Sequence, residues 1–257
     1  MKNNIYVLFG FLVFALSSCQ NDESFSNDRA ESVNSKGRGG SLARFTVVGD
    51  KLYTIDNDQM RVFDIAENTN PTFEQTVDLI NGVETVFPYN DYLYLGTQTG
   101  MLIYDISNPS APRYVSMYEH VQACDPVVVQ GNYAYVTIRS ETTCRNTSNI
   151  DQLEVINVSN PEQPFAVNQY QLENPYGLGI DDGLLFVCDG NAGLKVFDVT
   201  FTPDRIQLLH EFRDIKARDV IPFNGLLLLI AEEGFYQYQY NPSGEMDLLS
   251  FIEVEKE

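Results

Sequence analysis

Gly193-Leu194-Lys195-Val196-Phe197-Asp198-Val199 is the stretch that decides the fold, because related stretches recur along the chain. Near its end a polar residue stands between two aromatic or aliphatic residues. Five such triplets are present: Phe63-Asp64-Ile65, Tyr104-Asp105-Ile106, Ile156-Asn157-Val158, Phe197-Asp198-Val199 and Tyr238-Gln239-Tyr240. Their central residues are 41, 52, 41 and 41 positions apart. A recurring period of this length indicates a repeat architecture.

A second landmark lies in the same register, a turn followed by alternating apolar residues ahead of each triplet. These turns begin at Gly49, Asn90, Gly131, Asp182 and Asn224. Because the two landmarks agree, the period belongs to the whole region and not to one motif. The single irregular step places 11 extra residues in the third repeat, between Ile138 and Asp151.

Each period has the pattern of four β-strands. Runs of four to seven residues rich in Val, Ile, Tyr, Phe and Leu are separated by Asn, Asp, Gly and Pro, as in strands joined by turns. In the second repeat the pattern predicts strands over 84–89, 92–97, 101–106 and 113–118. After Cys19 no stretch has a convincing apolar helical stripe, so we expect an all-β protein.

Four-stranded sheets with two apolar faces bury both faces when the sheets pack radially, as in a β-propeller. We therefore predict an all-β fold over residues 42–257, a five-bladed β-propeller of four-stranded antiparallel blades. An open stack would leave apolar faces uncovered on the first and fifth repeats, and the composition of neither end supports that. We expect no strand-swapped latch, because the repeats begin and end on blade boundaries. The expected blades are residues 42–82, 83–121, 122–173, 174–215 and 216–257.

The repeat region resembles the LVIVD-repeat family, whose period carries a Leu/Val-x-Val-x-Asp core after a glycine. The best copies are the stretch that begins at Gly193 and Gly100-Met101-Leu102-Ile103-Tyr104-Asp105-Ile106, and the resemblance covers about 216 residues. The fifth copy departs from the pattern, because Gln239 replaces the acid. The resemblance implies a propeller of a bacterial surface or periplasmic lipoprotein, in a family mostly of unassigned function.

The N-terminal segment has the features of a lipoprotein leader. Lys2 is followed by a short apolar run, which predicts a signal peptide over residues 1–18. Leu16-Ser17-Ser18-Cys19 resembles the lipobox of bacterial lipoproteins, which implies that Cys19 is lipidated and anchors the protein in a membrane. The alternative is an ordinary cleaved signal with an incidental cysteine.

Residues 19–41 are polar and lack periodicity, so we expect the lipidated cysteine to be followed by a flexible tether. Asp22 and Glu23 resemble the surface-export signal of lipoproteins in the Bacteroides group. The resemblance implies a lipid-anchored protein of the bacterial outer membrane, on either the periplasmic side or the cell surface.

The charge of the chain excludes one class of partner. The chain has 16 basic and 36 acidic side chains, which gives a net charge of −20. Such a chain repels phosphate backbones, so we expect no nucleic-acid partner. Neutral or cationic partners are favoured instead.

In a propeller, the starts of the innermost strands and the loops between second and third strands lie at the same end. Ligands of propellers usually bind there. The insertion in the third repeat is expected to overhang this end, although surface loops also lengthen at small free-energy cost. The candidate binding residues at this end are Asp58, Glu84, Asp125, Arg139, Arg145, Tyr176, Asp189, Arg218 and Glu232.

The cysteines suggest one disulfide. With Cys19 lipidated, three remain in an oxidising compartment. Cys124 and Cys144 are expected at the same end of the third blade, and a bridge between them would stabilise the protein by about 3 kcal/mol. A bridge between Cys144 and Cys188 is the competing possibility. If it does not form, Cys188 is expected to be a small buried thiol.

We expect neither a metal nor a cofactor. His120, Cys124, Cys144 and Cys188 could supply zinc ligands, but they lack the spacing that fixes ligand geometry. The Asp189-Gly190-Asn191 stretch lacks the further acids of a calcium loop, and it is better explained as a turn.

These features predict a non-catalytic, lipid-anchored binding module for an unknown protein, peptide or glycan. The alternative is a hydrolase or lyase that acts on a glycan with axial carboxylates such as Asp58, Asp189 or Glu232 as acid and base. A Ser-His-Asp triad is excluded, because His120 and His210 are expected at the outer rim. A purely structural role in an envelope assembly is a third possibility, and it requires copies to associate.

Overall fold

The computed structural model describes residues 42–56, 58–67, 69–80, 82–120, 126–140, 150–200 and 205–254. These residues form five antiparallel sheets of four strands each. In every sheet the four strands are consecutive in the chain and neighbours in space. The predicted five-bladed β-propeller of four-stranded blades is therefore confirmed. Residues 1–41, which hold the expected leader and tether, lie outside the described part.

The first two blades contain eight strands. Blade 1 consists of β1 (Phe45–Val48), β2 (Lys51–Asp56), β3 (Gln59–Asp64) and β4 (Thr72–Asp78). Blade 2 consists of β5 (Val83–Tyr89), β6 (Tyr92–Thr97), β7 (Gly100–Asp105) and β8 (Arg113–Glu119). The strands predicted for the second repeat agree with these bounds to within one residue.

The remaining three blades have the same layout. Blade 3 consists of β9 (Val127–Gln130), β10 (Tyr133–Ile138), β11 (Gln152–Asn157) and β12 (Phe165–Gln171). Blade 4 consists of β13 (Leu178–Asp181), β14 (Leu184–Cys188), β15 (Leu194–Asp198) and β16 (Gln207–Phe212). Blade 5 consists of β17 (Ala217–Phe223), β18 (Leu226–Ala231), β19 (Gly234–Tyr240) and β20 (Met246–Glu253). No helix in the described residues is long and apolar enough to cross a lipid bilayer.

In blades 2, 3 and 4 the polar residue of the recurring triplet caps the turn that follows the third strand. Asp105 Oδ1 accepts a hydrogen bond from the backbone N–H of Ser107 at 2.7 Å, and Asn157 and Asp198 bind the N–H two residues on at 2.9 and 2.8 Å. These are Asx turns, in which the side chain replaces a backbone acceptor. The position therefore needs an oxygen acceptor, which Asp and Asn both provide.

The glycine before the triplet permits a close approach of two strands. A Cβ atom on Gly193 would lie 2.2 Å from the carbonyl oxygen of Phe212, and one on Gly100 would lie 2.1 Å from that of Tyr118. Gly193 also has a φ of +101°, which L-residues with a side chain rarely adopt. At Gly193 both space and backbone conformation therefore favour glycine, and at Gly100 space alone does.

The core consists of apolar side chains packed between successive blades. The aromatic residues of the second strands, Tyr53, Tyr94, Tyr135 and Phe186, are at most 2% exposed. One cluster of buried residues joins blades 1 and 2, a second joins blades 2, 3 and 4, and a third joins blades 4 and 5. Each blade is therefore stabilised mainly by its neighbours in sequence.

Blades 1 and 5 each have a face that no other described residue covers fully. The innermost strands β1, β5, β9, β13 and β17 contact one another in that order, but β17 and β1 do not pack together in the same way within the described residues. Phe45 of β1 is 62% exposed and Ile230 of β18 is 48% exposed. The expectation that no apolar face stays uncovered at the two end blades is therefore wrong. The reason is that closure depends on the angle between blades, which the repeat pattern does not encode.

We expect Gly193→Ala to destabilise the protein more than Gly131→Ala. Both glycines have positive φ, so both variants cost about 1–2 kcal/mol of backbone strain. Only at Gly193 does the added methyl group also meet a carbonyl oxygen, because Gly131 has open space around it. Urea unfolding should therefore show a further loss of about 2 kcal/mol for Gly193→Ala. Equal losses for the two variants would contradict the close-approach explanation.

The Asx turn of blade 2 predicts a pH effect. Hydrogen bonds from Ser107 and Arg113 lower the pKa of Asp105 to about 2. A carboxylate whose pKa is lowered on folding stabilises the protein above its unfolded pKa of about 3.9, and this stabilisation disappears as the pH falls towards the folded value. Asp105→Asn keeps the acceptor for Ser107 but cannot titrate. The stability difference between wild type and variant, measured by urea unfolding, should therefore shrink as the pH falls from about 5 to about 2. A pH-independent difference would show that the charge of Asp105 contributes nothing.

Candidate binding face

Four of the predicted site residues meet at one end of blades 3, 4 and 5. Arg139 follows the last residue of β10, Tyr176 precedes β13, Arg218 is the second residue of β17 and Glu232 follows β18. Second strands end and first strands begin at this end of a propeller blade, so the topology places the four residues together. We call the group of Arg139, Tyr176, Arg218 and Glu232 the Tyr176 cluster.

The main chain around Tyr176 is held by three blades. Thr137 of blade 3 donates a hydrogen bond from Oγ1 to the carbonyl oxygen of Tyr176 at 2.7 Å. The N–H of Tyr176 donates to the carbonyl of Cys188 in blade 4 at 2.7 Å, and the N–H of Gly177 donates to the carbonyl of Arg218 in blade 5 at 2.9 Å. These bonds fix the position from which the Tyr176 side chain projects.

Two guanidinium groups lie over the ring of Tyr176. The Cζ atoms of Arg139 and Arg218 are 3.8 and 4.1 Å from the ring centroid. Each contact is a cation–π interaction, which contributes about 0.5–2 kcal/mol depending on solvent exposure. The two guanidinium groups thus cover ring surface on which a sugar could otherwise stack. The edges of the guanidinium groups carry N–H donors instead.

Glu232 pairs with cations on blade 5. Nη2 of Arg218 donates to its Oε1, and Nζ of Lys216 lies 3.4 Å from its Oε2. The hydrogen bond from Arg218 is the main reason that the pKa of Glu232 is lowered. Glu232 is therefore ionised at neutral pH and is poorly suited to act as a general acid. Lys216 was not anticipated from the sequence, because no motif marks it.

Asp189 is buried, and both of its carboxylate oxygens accept hydrogen bonds. Nζ of Lys195 lies 2.5 Å from its Oδ2, and the backbone N–H groups of Glu173 and Asn174 donate to its Oδ1 at 3.0 and 2.7 Å. Lys195 also lies 3.2 Å from Oε1 of Glu211. In this arrangement Asp189 has no exposed atom that could meet a ligand, and its bonds hold the turn before Tyr176. A lysine within the apolar run of β15 was the one sequence signal for this buried pair.

The other candidate residues are spread over the chain. Asp58 is exposed in the loop between β2 and β3, and Glu84 is half-buried at a bulge in β5. Asp125 and Arg145 lie outside the described residues, as do Cys19, Cys124 and Cys144. The expected bridge between Cys124 and Cys144 and the lipid on Cys19 therefore stay predictions.

Cys188 is a free, fully buried thiol. Burial raises its pKa well above the usual value, and the nearby charges of Asp219 and Asp189 act in the same direction. A thiol in this state is a poor nucleophile. The structure thus agrees with the small buried thiol predicted for this position, whereas Cys144, the partner in the competing bridge, lies outside the described residues.

The described residues contain no group of three or more His, Cys, Asp and Glu side chains that could hold a metal ion. His210 lies in β16, the outermost strand of blade 4, and its Nε2 is 2.9 Å from the carbonyl oxygen of Ser243. His120 directly follows β8, the outermost strand of blade 2. Both histidines are therefore at the rim, as predicted.

Comparison with known sequences supports the repeat assignment. The family model for the LVIVD repeat matches residues 83–120 and 122–141, which belong to the second and third blades. A search of curated protein sequences finds no significant match.

Solved structures with a similar fold are propeller-like proteins. A putative 6-phosphogluconolactonase from Bacteroides fragilis has a TM-score of 0.61 and 10% identity over 82% of this chain and 70% of its own. The periplasmic gluconolactonase of Pseudomonas aeruginosa has a TM-score of 0.60 and 14% identity over 80% and 68%. BamB from Moraxella catarrhalis has a TM-score of 0.52 and 13% identity over 82% and 60%. At these identities the likeness shows the fold alone. The chain thus carries LVIVD repeats on the fold of a five-bladed β-propeller.

Proposed function

We propose that the protein is a non-catalytic, lipid-anchored binding module of the bacterial cell envelope, and that its Tyr176 cluster holds an oxygen-rich peptide or glycan. The observation that carries the proposal is the pair of guanidinium groups over Tyr176, whose main chain is bonded to three blades. A site held in this way is organised before a ligand arrives, so little conformational entropy is lost on binding.

The chemistry of the cluster favours hydrogen-bond acceptors. A guanidinium group presents five N–H donors, and stacking on an aromatic ring leaves its edge available to a ligand. Carbonyl and hydroxyl oxygens are suitable acceptors. A strongly anionic ligand is disfavoured, because the chain carries a net charge of −20 and Glu232 already neutralises part of the local positive charge. Uncharged peptide and sugar groups fit both conditions.

A hydrolase or lyase with axial carboxylates has less support. A glycoside hydrolase needs a carboxylic acid with a raised pKa beside a second carboxylate. Here the pKa of Glu232 is lowered, and Asp189 is buried in an ion pair with Lys195. Two of the similar structures bear gluconolactonase names, but this likeness concerns the fold alone.

The anchoring part of the proposal rests on Leu16-Ser17-Ser18-Cys19 and on the polar segment that follows it. We expect the wild-type protein to sediment with outer membranes and to be released only by detergent, because two or three acyl chains give stable anchoring. Cys19→Ser should move the protein to the soluble fraction or stop its processing. Accessibility to protease added to intact cells would then distinguish the cell surface from the periplasmic side. A Cys19→Ser variant that is processed normally and still sediments with membranes would contradict the lipid anchor.

Binding by the Tyr176 cluster can be tested with a glycan array and with peptide fractions of envelope extracts. We expect Arg218→Gln and Tyr176→Ala to lower the affinity for the retained ligand by about tenfold or more, the usual cost of a lost charge-assisted hydrogen bond. Arg113→Gln and Tyr114→Ala are matched controls, because these residues are exposed on the outermost strand of blade 2, where Arg113 pairs with Asp105 and Tyr114 contacts Tyr104. The controls should bind as the wild type does.

Two results would overturn the proposed function. One is equal loss of binding in the cluster variants and in the controls. The other is turnover of a glycan or lactone by the purified protein that Glu232→Gln abolishes, since this would favour the hydrolase.

A further inference from the structure

A pocket lies where blades 3 and 4 meet, at the end of the blades opposite to the Tyr176 cluster. It is formed by residues 130–133 and Tyr135 of blade 3 and by Val199 and Thr200 of blade 4, and its volume is about 380 Å³. First and second strands are joined at this end, whereas the Tyr176 cluster lies where second strands end. The volume is within the range of about 300–1,000 Å³ that is usual for small-ligand sites. We call this space the Tyr135 pocket.

The pocket contains a buried phenol group that has no partner among the described residues. The side chain of Tyr135 is 1% exposed. Its counterpart in blade 1, Tyr53, donates a hydrogen bond of 2.7 Å from its hydroxyl to the carbonyl oxygen of Pro109, in the loop after the third strand of blade 2. The same loop of blade 4 begins with Val199 and Thr200, which line the pocket, but no described residue bonds to the hydroxyl of Tyr135. Because an unpaired buried hydroxyl costs free energy, a ligand atom in the pocket that pairs with it would gain that free energy on binding.

The pocket exists because blade 3 has a glutamine where blade 2 has a tyrosine. The residue before the first turn of a blade reaches across to the next blade, and in blade 2 the hydroxyl of Tyr89 accepts a hydrogen bond of 2.7 Å from the N–H of Gly131. The ring of Tyr89 also packs on the core at this junction. In blade 3 the same position holds Gln130, whose Oε1 accepts a hydrogen bond of 3.3 Å from the N–H of Gly183. Gln130 thus connects the two blades in the same way but leaves free the space that an aromatic ring would fill.

The lining of the Tyr135 pocket offers uncharged hydrogen-bonding groups and a second aromatic ring. Burial raises the pKa of Tyr135 well above its usual value, so its hydroxyl keeps the proton at neutral pH and can donate it in a hydrogen bond. Since Gln130 accepts through Oε1, its amide nitrogen is left as a donor. Thr200 donates from Oγ1 to Asp198 at 2.6 Å, which leaves the Oγ1 lone pairs as acceptors. The half-buried ring of Tyr133 adds an apolar wall.

We propose that the Tyr135 pocket binds one ring of a neutral sugar. Sugar hydroxyls both donate and accept hydrogen bonds, so they match the donors on Tyr135 and Gln130 and the acceptor on Thr200. The apolar C–H face of a sugar ring can pack on the ring of Tyr133. An anionic ligand is disfavoured, because no lining residue is basic and the chain has a net charge of −20. The proposal is independent of the Tyr176 cluster, with which the pocket shares no residue.

Saturation-transfer difference NMR of the purified protein with the methyl glycosides of glucose, galactose, mannose and N-acetylglucosamine tests the proposal. We expect at least one of them to bind with a dissociation constant of about 1 mM, because a single ring makes few contacts. Tyr135→Phe should weaken this binding about fivefold, the usual effect of one lost hydrogen bond. Gln130→Tyr should abolish it, because the new ring would fill the pocket as Tyr89 fills the junction of blades 2 and 3.

Tyr94→Phe is the matched control. Tyr94 is the counterpart of Tyr135 in blade 2 and is 2% exposed, so the variant loses the same hydroxyl from a junction that Tyr89 already fills. Tyr94→Phe and Arg218→Gln should both bind the glycoside as the wild type does. Circular dichroism melting should show that the variants are folded. If Gln130→Tyr does not fold, the comparison of Tyr135→Phe with Tyr94→Phe decides the outcome.

Four results would overturn the proposal. The first is that none of the four glycosides binds. The second is that folded Gln130→Tyr binds as the wild type does. The third is that Tyr94→Phe or Arg218→Gln weakens binding as much as Tyr135→Phe, because the sugar would then be bound elsewhere. The fourth is that uncharged N-acetyl amino acid amides bind in place of the glycosides and that Gln130→Tyr abolishes this binding, which would assign the pocket to a peptide. The proposed function is tested separately, by Arg218→Gln and Tyr176→Ala.

Discussion

Every blade of this protein has two apolar faces and can cover neither of them alone. The aromatic residue in the middle of the second strand, Tyr53, Tyr94, Tyr135 or Phe186, is buried only because the next blade packs on it. Stability in such an array resides in the junctions between repeats rather than within single repeats. The regular period of the sequence follows from this constraint, since each repeat has to present the same pair of faces to its neighbours.

The Tyr176 cluster depends on the same junctions. Its arginines come from blades 3 and 5, and its tyrosine precedes the first strand of blade 4. The distances between their side chains are therefore set by how the three blades pack, and not by any local loop. The buried pair of Asp189 and Lys195 supports the turn behind the cluster. The cluster is thus a product of the propeller core, which holds its four side chains on a rigid scaffold.

Strand positions were predictable because they depend on local patterns. Alternating apolar residues and the turns at Asn90 and Asn224 fix strand ends to within a residue or so, and topology then places Arg139, Tyr176 and Arg218 at one end. Side-chain contacts were harder to predict from the sequence. The stacking on Tyr176 and the partner of Asp189 depend on rotamers and on packing between distant repeats. The uncovered face of blade 5 was missed because the angle between blades is a collective property that no single repeat reveals.

The hydrogen bonds to the main chain at Tyr176 have a dynamic consequence. Carbonyl and amide groups of this residue and of Gly177 connect the second strand of blade 3, the second strand of blade 4 and the first strand of blade 5. Small rocking motions between these sheets must stretch those bonds. A molecule seated on the arginines would restrain that rocking in all three sheets at once, so part of its binding free energy would come from altered backbone fluctuations well beyond the contact surface.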